Sequence, residues 1–223
     1  MTNTSVTIRL LALAGLLATL LCGAALALSA EKAHGTRAEF TAKLDMGGDE
    51  DNALKFSGDL AWDEPKLRVD FSDEATKEAN VLLVDFTART AVLLYPDTLN
   101  GVRSDLARFD KSGHLTRLRD MLSGKPPQTP EGWTKKDLGS EKIGKVKCTH
   151  VRFTSPEGQS VDVWSNSKNQ PVRMILNKKS ITITLDVTKI TEQQTIPADT
   201  FTYGKEYTIS EYKSGEDQRL PSL

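Results

Sequence analysis

The sequence predicts a mainly β protein: one antiparallel sheet of about ten strands, coiled rather than flat, with a single helical interruption. Three observations predict it. Ile181, Ile183, Leu185 and Val187 alternate with Thr182, Thr184, Asp186 and Thr188, the period of a strand with one dry face and one wet face. The same alternation recurs along the chain, broken by polar, Gly- and Pro-bearing turns. Only one stretch beyond the N-terminal region changes to helical spacing.

The elements follow in order. Ala38, Phe40, Ala42, Leu44 and Met46 share one face of the first run, and "GGDEDN" at 47–52 turns it back. Leu54, Phe56, Gly58, Leu60 and Trp62 repeat the pattern, which makes a hairpin. In "KLRVDFS", Leu67, Val69 and Phe71 share a face, with Lys66, Arg68 and Asp70 opposite. "NVLLVDF" and "TAVLLYPD" bring the count to five strands. Then Leu106 and Phe109 stand three apart, and Leu115, Leu118, Met121 and Leu122 follow at helical spacings. Ser104 or Asp105 can cap this start, Gly113 splits the stretch into two short helices, and Gly124 with Pro126 ends it. After the connector "KPPQTPEG" at 125–132, strands resume. Val151 and Phe153 mark one, and "QSVDVWSN", "PVRMIL" and "SITITLDVTKI" are three more, with "SPEG" and "NSKNQP" as hairpin turns. A last block, "IPADTFTYGKEYTI", carries Ile196, Phe201 and Tyr203.

Composition bounds the rest. The chain has 223 residues, 26% charged and 38% hydrophobic, an ordinary globular balance. Its net charge of -1 gives no basic excess to attract nucleic acid. Residues 10–30, "LLALAGLLATLLCGAALALSA", carry no charge. Residues 1–30 read as a secretory signal peptide, cut near Ala30. The alternative is an uncleaved inner-membrane anchor formed by residues 10–30. Cys22 follows Leu21, where a lipoprotein signal wants Gly or Ala. Cleavage leaves Cys148 alone, so no internal disulfide forms, and Cys148 reads as a small apolar strand residue. The protein is expected in the periplasm or otherwise exported. Residues 31–213 read as one domain and 214–223 as a polar tail.

An imbalance in the apolar residues points to function. Alternation puts about 25 to 30 apolar side chains on one face, each contributing up to about 1.5–3 kcal/mol if fully buried. The helical stretch supplies about six to cover them. Either the sheet closes into a well-packed sandwich or barrel, or it curls around an apolar cavity that the helices plug loosely. A cavity of that kind generally binds something.

"GDLAWDEPKLRVDFSD" followed by "VLLVDFTARTAVLLYPDT" is similar to the first half of the periplasmic lipoprotein carriers, the LolA-like outer-membrane lipoprotein-sorting superfamily. "VDVWSNSKNQPVRMIL", "ITITLDVTKI" and "IPADTFTY" resemble their second half, and the likeness spans roughly residues 36 to 207. The resemblance implies a mainly β fold with a small helical lid, a curved antiparallel sheet forming an unclosed β-barrel, or half-barrel. It implies a non-enzymatic carrier or sensor in the cell envelope that shelters lipid or lipoprotein acyl chains. The partner would be a lipid or an acylated protein, with an envelope protein as a further partner. The carriers have an Arg in this half that contacts the lid. Arg68 lies on the wrong parity for that role, opposite Leu67 and Val69.

The expected cavity lining is Phe40, Leu44, Phe56, Leu60, Trp62, Val69, Phe71 and Tyr95, faced by Trp164, Met174, Ile183 and Leu185. The expected lid residues are Leu106, Phe109, Leu115, Leu118 and Met121. The alternative is that the lining residues pack on one another, in a structural or sensory protein-binding module with a filled core. Cys148 and His150 share a strand face, and a thiolate–imidazole pair can be nucleophilic or bind metal. No second ligand cluster accompanies them, and Lys145 and Lys147 mark a surface strand. "DEDN" lacks the spacing of a calcium loop. His34, His114 and His150 follow no triad order, and no hydrolase, metalloprotease, P-loop or dinucleotide motif is present. No catalytic residue, metal or cofactor is expected.

Overall fold

The computed structural model describes residues 35–47, 53–109, 129, 131–167, 169–192 and 195–212. The predicted leader, the lid positions Leu115, Leu118 and Met121, and the tail at 214–223 lie outside the described residues. Strands β1 (Thr36–Asp45), β2 (Leu54–Asp63), β3 (Lys66–Asp73), β4 (Ala79–Asp85), β5 (Thr90–Tyr95) and β6 (Asn100–Asp105) lead into a short helix, α1 (Leu106–Phe109). Then come β7 (Thr134–Ile143), β8 (Val146–Thr154), β9 (Ser160–Ser165), β10 (Pro171–Lys178) and β11 (Ile181–Glu192). 3-10 turns at Pro96–Thr98 and Ala198–Phe201 and strand β12 (Thr208–Glu211) complete the elements among the described residues.

All twelve strands form one sheet, in the order β12-β6-β5-β4-β3-β2-β1-β11-β10-β9-β8-β7. The first half is a meander running outward from β1, and the second a meander returning inward, so that β11 docks antiparallel on β1. Among the described strands only β12 pairs parallel, on β6. The edges β12 and β7 do not pair with each other, so the barrel is left unclosed. This is the half-barrel architecture that the sequence predicts. It has twelve strands rather than ten because β6 and β7 show no dry face. Every residue of β7 up to Lys142 is exposed, so it has no hydrophobic alternation to read. Asp105 supplies the expected cap at α1, accepting a 2.8 Å hydrogen bond from the Ala107 N–H.

One face of the sheet is dry along most of its width. Phe40, Leu60, Trp62, Leu67, Val69, Leu82, Val163, Met174 and Leu185 are all nearly inaccessible and belong to one cluster. Register explains its continuity. Ala42 lies opposite Phe56 on one side and Leu185 on the other, and Leu185 lies opposite Met174, which lies opposite Val163. Gly58 sits between Phe40 and Phe71 in the same cross-strand row. A Cβ there would overlap the Asp70 carbonyl and come within 2.8 Å of the Phe40 ring, so glycine lets both rings close over the backbone.

The outer face of β4 and β5 is also dry. Val81, Leu83, Val92 and Leu94 form a second cluster, covered by Tyr203, Tyr207 and Ile209 of the C-terminal segment. The Arg68 Nη1–H donates to the Thr200 carbonyl (3.0 Å), and the Arg103 guanidinium donates to the Tyr203 hydroxyl (2.6 Å). Both ties hold the start of the segment, and the parallel pairing of β12 on β6 holds its far end. Gly58→Ala should lower stability by about 1–3 kcal/mol through overpacking, read as a shifted midpoint in urea unfolding. An unchanged midpoint would mean that the strand backbones do not approach this closely.

Candidate functional site

The candidate site is the dry inner face. Of the twelve predicted lining residues, ten are buried together in the inner cluster: Phe40, Leu44, Phe56, Leu60, Trp62, Val69, Phe71, Met174, Ile183 and Leu185. Tyr95 packs against its edge, half-buried. Phe56 meets Phe71 edge-on with centroids 6.4 Å apart, and Trp62 meets Phe86 in the same way at 5.8 Å. Outside the strands, the described residues that pack on this face are Phe86, Leu106, Phe109 and Trp133. Leu106 and Phe109, the two described lid positions, therefore do touch the inner cluster. Trp133 was not predicted, because it stands between the Pro-rich connector and a strand without periodicity.

Trp164 does not join this face. In β9 the dry residues are Val161 and Val163, which turns Trp164 and Asp162 outward. There the Trp164 indole stacks on the His150 ring (4.1 Å between centroids) and its N–H donates to the Glu141 carboxylate. His150 places Nδ1 3.0 Å from Glu141 and Nε2 2.8 Å from Asp162. The Arg152 fork closes on the same carboxylate, with Nε 2.8 Å from Oδ1 and Nη2 3.0 Å from Oδ2. Trp164 is an amphipathic ring with a polar handle, and the handle finds its partner outside. Asp162, only 2% exposed, is satisfied by two cationic or polar neighbours on β8.

This network also disposes of the Cys148–His150 pairing. Both imidazole nitrogens face carboxylates, and the Cys148 thiol donates instead to the Val146 carbonyl (3.6 Å). Burial pushes the Cys148 thiol above its ordinary value near 9.0, the opposite of what a thiolate nucleophile needs. Among the described residues, no cluster of three or more His, Cys, Asp or Glu side chains could hold a metal ion.

A polar groove of about 570 Å³ lies on the outer face of β11, β1, β2 and β3, closed on one side by Thr200. Glu39, Asp59 and Asp70 stand opposite one another across three strands. Lys189 meets Glu39 at 2.9 Å, and Arg68 grips Asp70 with Nε 2.6 Å and Nη2 2.7 Å away. The hydrogen bond to Asp70, working against the cost of burial, raises the Arg68 guanidinium above its ordinary value. The groove's charges are largely spent on one another, and it offers no nucleophile beside a base. Its residues are the wet halves of the alternating strands, so its composition was legible but its depth was not.

No known protein family and no curated protein matches the chain by sequence. Solved structures do. An uncharacterized conserved protein from Thermus thermophilus superposes with a TM-score of 0.56 at 10% identity, covering 81% of this chain and 91% of that one. A LolA superfamily protein from Nitrosomonas europaea gives 0.41 at 12% identity, over 85% and 97%. The lipoprotein LppX from Mycobacterium tuberculosis gives 0.47 at 13% identity, over 82% and 96%. The first likeness extends to the fold over nearly the whole of both chains. The open twelve-stranded sheet accords with the LolA-like resemblance read from the sequence.

Two outcomes follow from the outer face. Asp162→Ala should cost about 1–3 kcal/mol in chemical denaturation, because it strands Arg152 and His150 without their shared acceptor; a variant as stable as the parent would mean that water replaces the carboxylate without loss. The raised Cys148 thiol binds its proton more tightly in the folded chain. Stability is therefore intact below the unfolded value and falls as pH climbs past 9.0. Cys148→Ala should flatten that decline, and peptide mapping should find Cys148 unalkylated by iodoacetamide until the chain unfolds.

Proposed function

We propose that the protein is a non-enzymatic binding protein of the cell envelope, sheltering a lipid or lipoprotein acyl chain against the inner face of its half-barrel. One observation carries this reading. A single uninterrupted cluster of buried apolar side chains runs from β5 through β1 to β8, on a sheet whose edges are left unclosed. An alkyl chain laid there leaves water at a gain of about 0.8 kcal/mol per methylene. The lining suits such a guest: aromatic rings and Met174 accommodate variable shapes without demanding a hydrogen bond. Leu106 and Phe109 of α1, which touch the inner cluster, belong to the lid, which opens to load and closes to carry. Export by the leader at residues 1–30, or anchoring by residues 10–30, places the site in the envelope where such cargo is found. The resemblance to the lipoprotein carriers supports the same reading.

Delipidated protein should bind an apolar fluorescent probe saturably, with about one site per chain. Leu60→Asp, which sets a charge among the lining residues, should abolish the binding. Tyr95→Ser, at the edge of the cluster, should keep the fold by circular dichroism and weaken the probe several-fold. If both variants titrate like the parent, the inner face is a filled core and the protein is a structural or protein-binding module.

A further inference from the structure

The β7–β8 hairpin stands apart from the rest of the sheet in accessibility and charge. Strand β7 is one of the sheet's two edge strands and, among the described strands, pairs only with β8. It is exposed on both faces, and a Cβ built at Gly139 or Gly144 would meet nothing within 4 Å. Residues 134–147 hold five lysines against two carboxylates, in a chain whose overall charge is -1. One of those carboxylates, Glu141, is already engaged by His150 and Trp164.

The tip has a specific design. Ile143 and Val146 face each other across the two-residue turn Gly144–Lys145, with Gly144 at φ 58° as such a turn requires. Val146 is 40% exposed and Ile143 half-buried, while Lys142, Lys145 and Lys147 flank them in the open. Lysines along an edge strand are a common guard against strand addition, and Lys135, Lys136 and the bulge at Asp137–Gly139 serve that purpose. Edge protection does not explain two β-branched apolar side chains held out at the turn. An apolar pair ringed by ammonium groups that form no ion pair among the described residues has a matching counterpart: a bilayer surface with anionic headgroups, where lysines stay with the phosphates and short alkyl groups enter the interface.

We propose that the tip of the β7–β8 hairpin docks the protein on an anionic membrane surface. The contact extends the function proposed above, since a lipid carrier must meet a bilayer, but it stands on different residues. Val151 and Phe153, further along β8, belong to the dry inner face, so the docked hairpin connects the bilayer directly to that face.

The test is cosedimentation of the full chain with vesicles of phosphatidylcholine alone or with about 30% phosphatidylglycerol as the anionic lipid. The uncharged run at residues 10–30 contributes alike to both, so the preference for anionic vesicles isolates the hairpin. The parent should prefer the anionic vesicles, and added salt should erase the preference. The triple variant Lys142→Glu, Lys145→Glu, Lys147→Glu should lose the preference, by about fivefold per lysine removed. Ile143→Ser with Val146→Ser should weaken binding while leaving the salt dependence. The three lysines and Val146 are exposed and Ile143 is half-buried, and an unchanged melting curve confirms that the variants fold. Equal binding of the parent to both vesicle types overturns the proposal. So does a triple variant with the parent's preference, or a hairpin that ignores vesicles and binds an acidic protein instead. Loss of vesicle preference with intact probe binding would separate this surface from the inner face.

Discussion

The structure depends on keeping one face of a single open sheet dry. An antiparallel strand sends every second side chain to each side, so a wide sheet with one apolar face accumulates a surface that water must not reach. The seam between β1 and β11 makes that surface continuous, because it aligns Leu44 with Ile183 and Ala42 with Leu185. Without that register, each half would present a smaller patch on its own meander. A closed barrel would bury the same residues by mutual contact. Here the edges carry β12 and β7, and nothing in the strand order joins them.

The outer face shows two solutions to the opposite problem. Over β4 and β5 it is apolar, and the chain covers it with its own C-terminal segment through Tyr203, Tyr207 and Ile209. Over β8 to β11 it is polar but still half-buried, and side chains satisfy one another: Arg152 and His150 on Asp162, Arg173 on Asp186 at 2.6 Å. Arg68 links the two regimes, since one guanidinium grips Asp70 and also holds the Thr200 carbonyl. The outer face is thus fixed by contacts that need no guest. Among the described residues the inner face offers no such polar network, which suits it to a variable apolar occupant.

Much of this was legible in the sequence, for a physical reason. A strand with one wet side must alternate, so Phe40, Leu44, Leu60, Val69, Ile183 and Leu185 were assigned to the inner face by parity alone. Parity failed at Trp164 because size was read before phase. Val161 and Val163 set the phase of β9, and the Trp164 N–H had a partner on the outer side. The runs "NVLLVDF" and "TAVLLYPD" do not alternate, and that continuity was the available sign that both faces of β4 and β5 are covered. Strand β7 was invisible because exposure on both faces removes the pattern altogether. The outer groove joins residues from four strands with Thr200, a juxtaposition that no local pattern encodes.

The central claim is that the inner face holds a lipid-like guest, and the most direct test is organic extraction of the protein purified from its own envelope, followed by mass spectrometry. The account predicts a long-chain lipid or acyl species recovered in proportion to protein, and absent from a Leu60→Asp preparation. A clean extract, from protein whose inner face also excludes an apolar guest in solution, would contradict it and leave the half-barrel as a packed core.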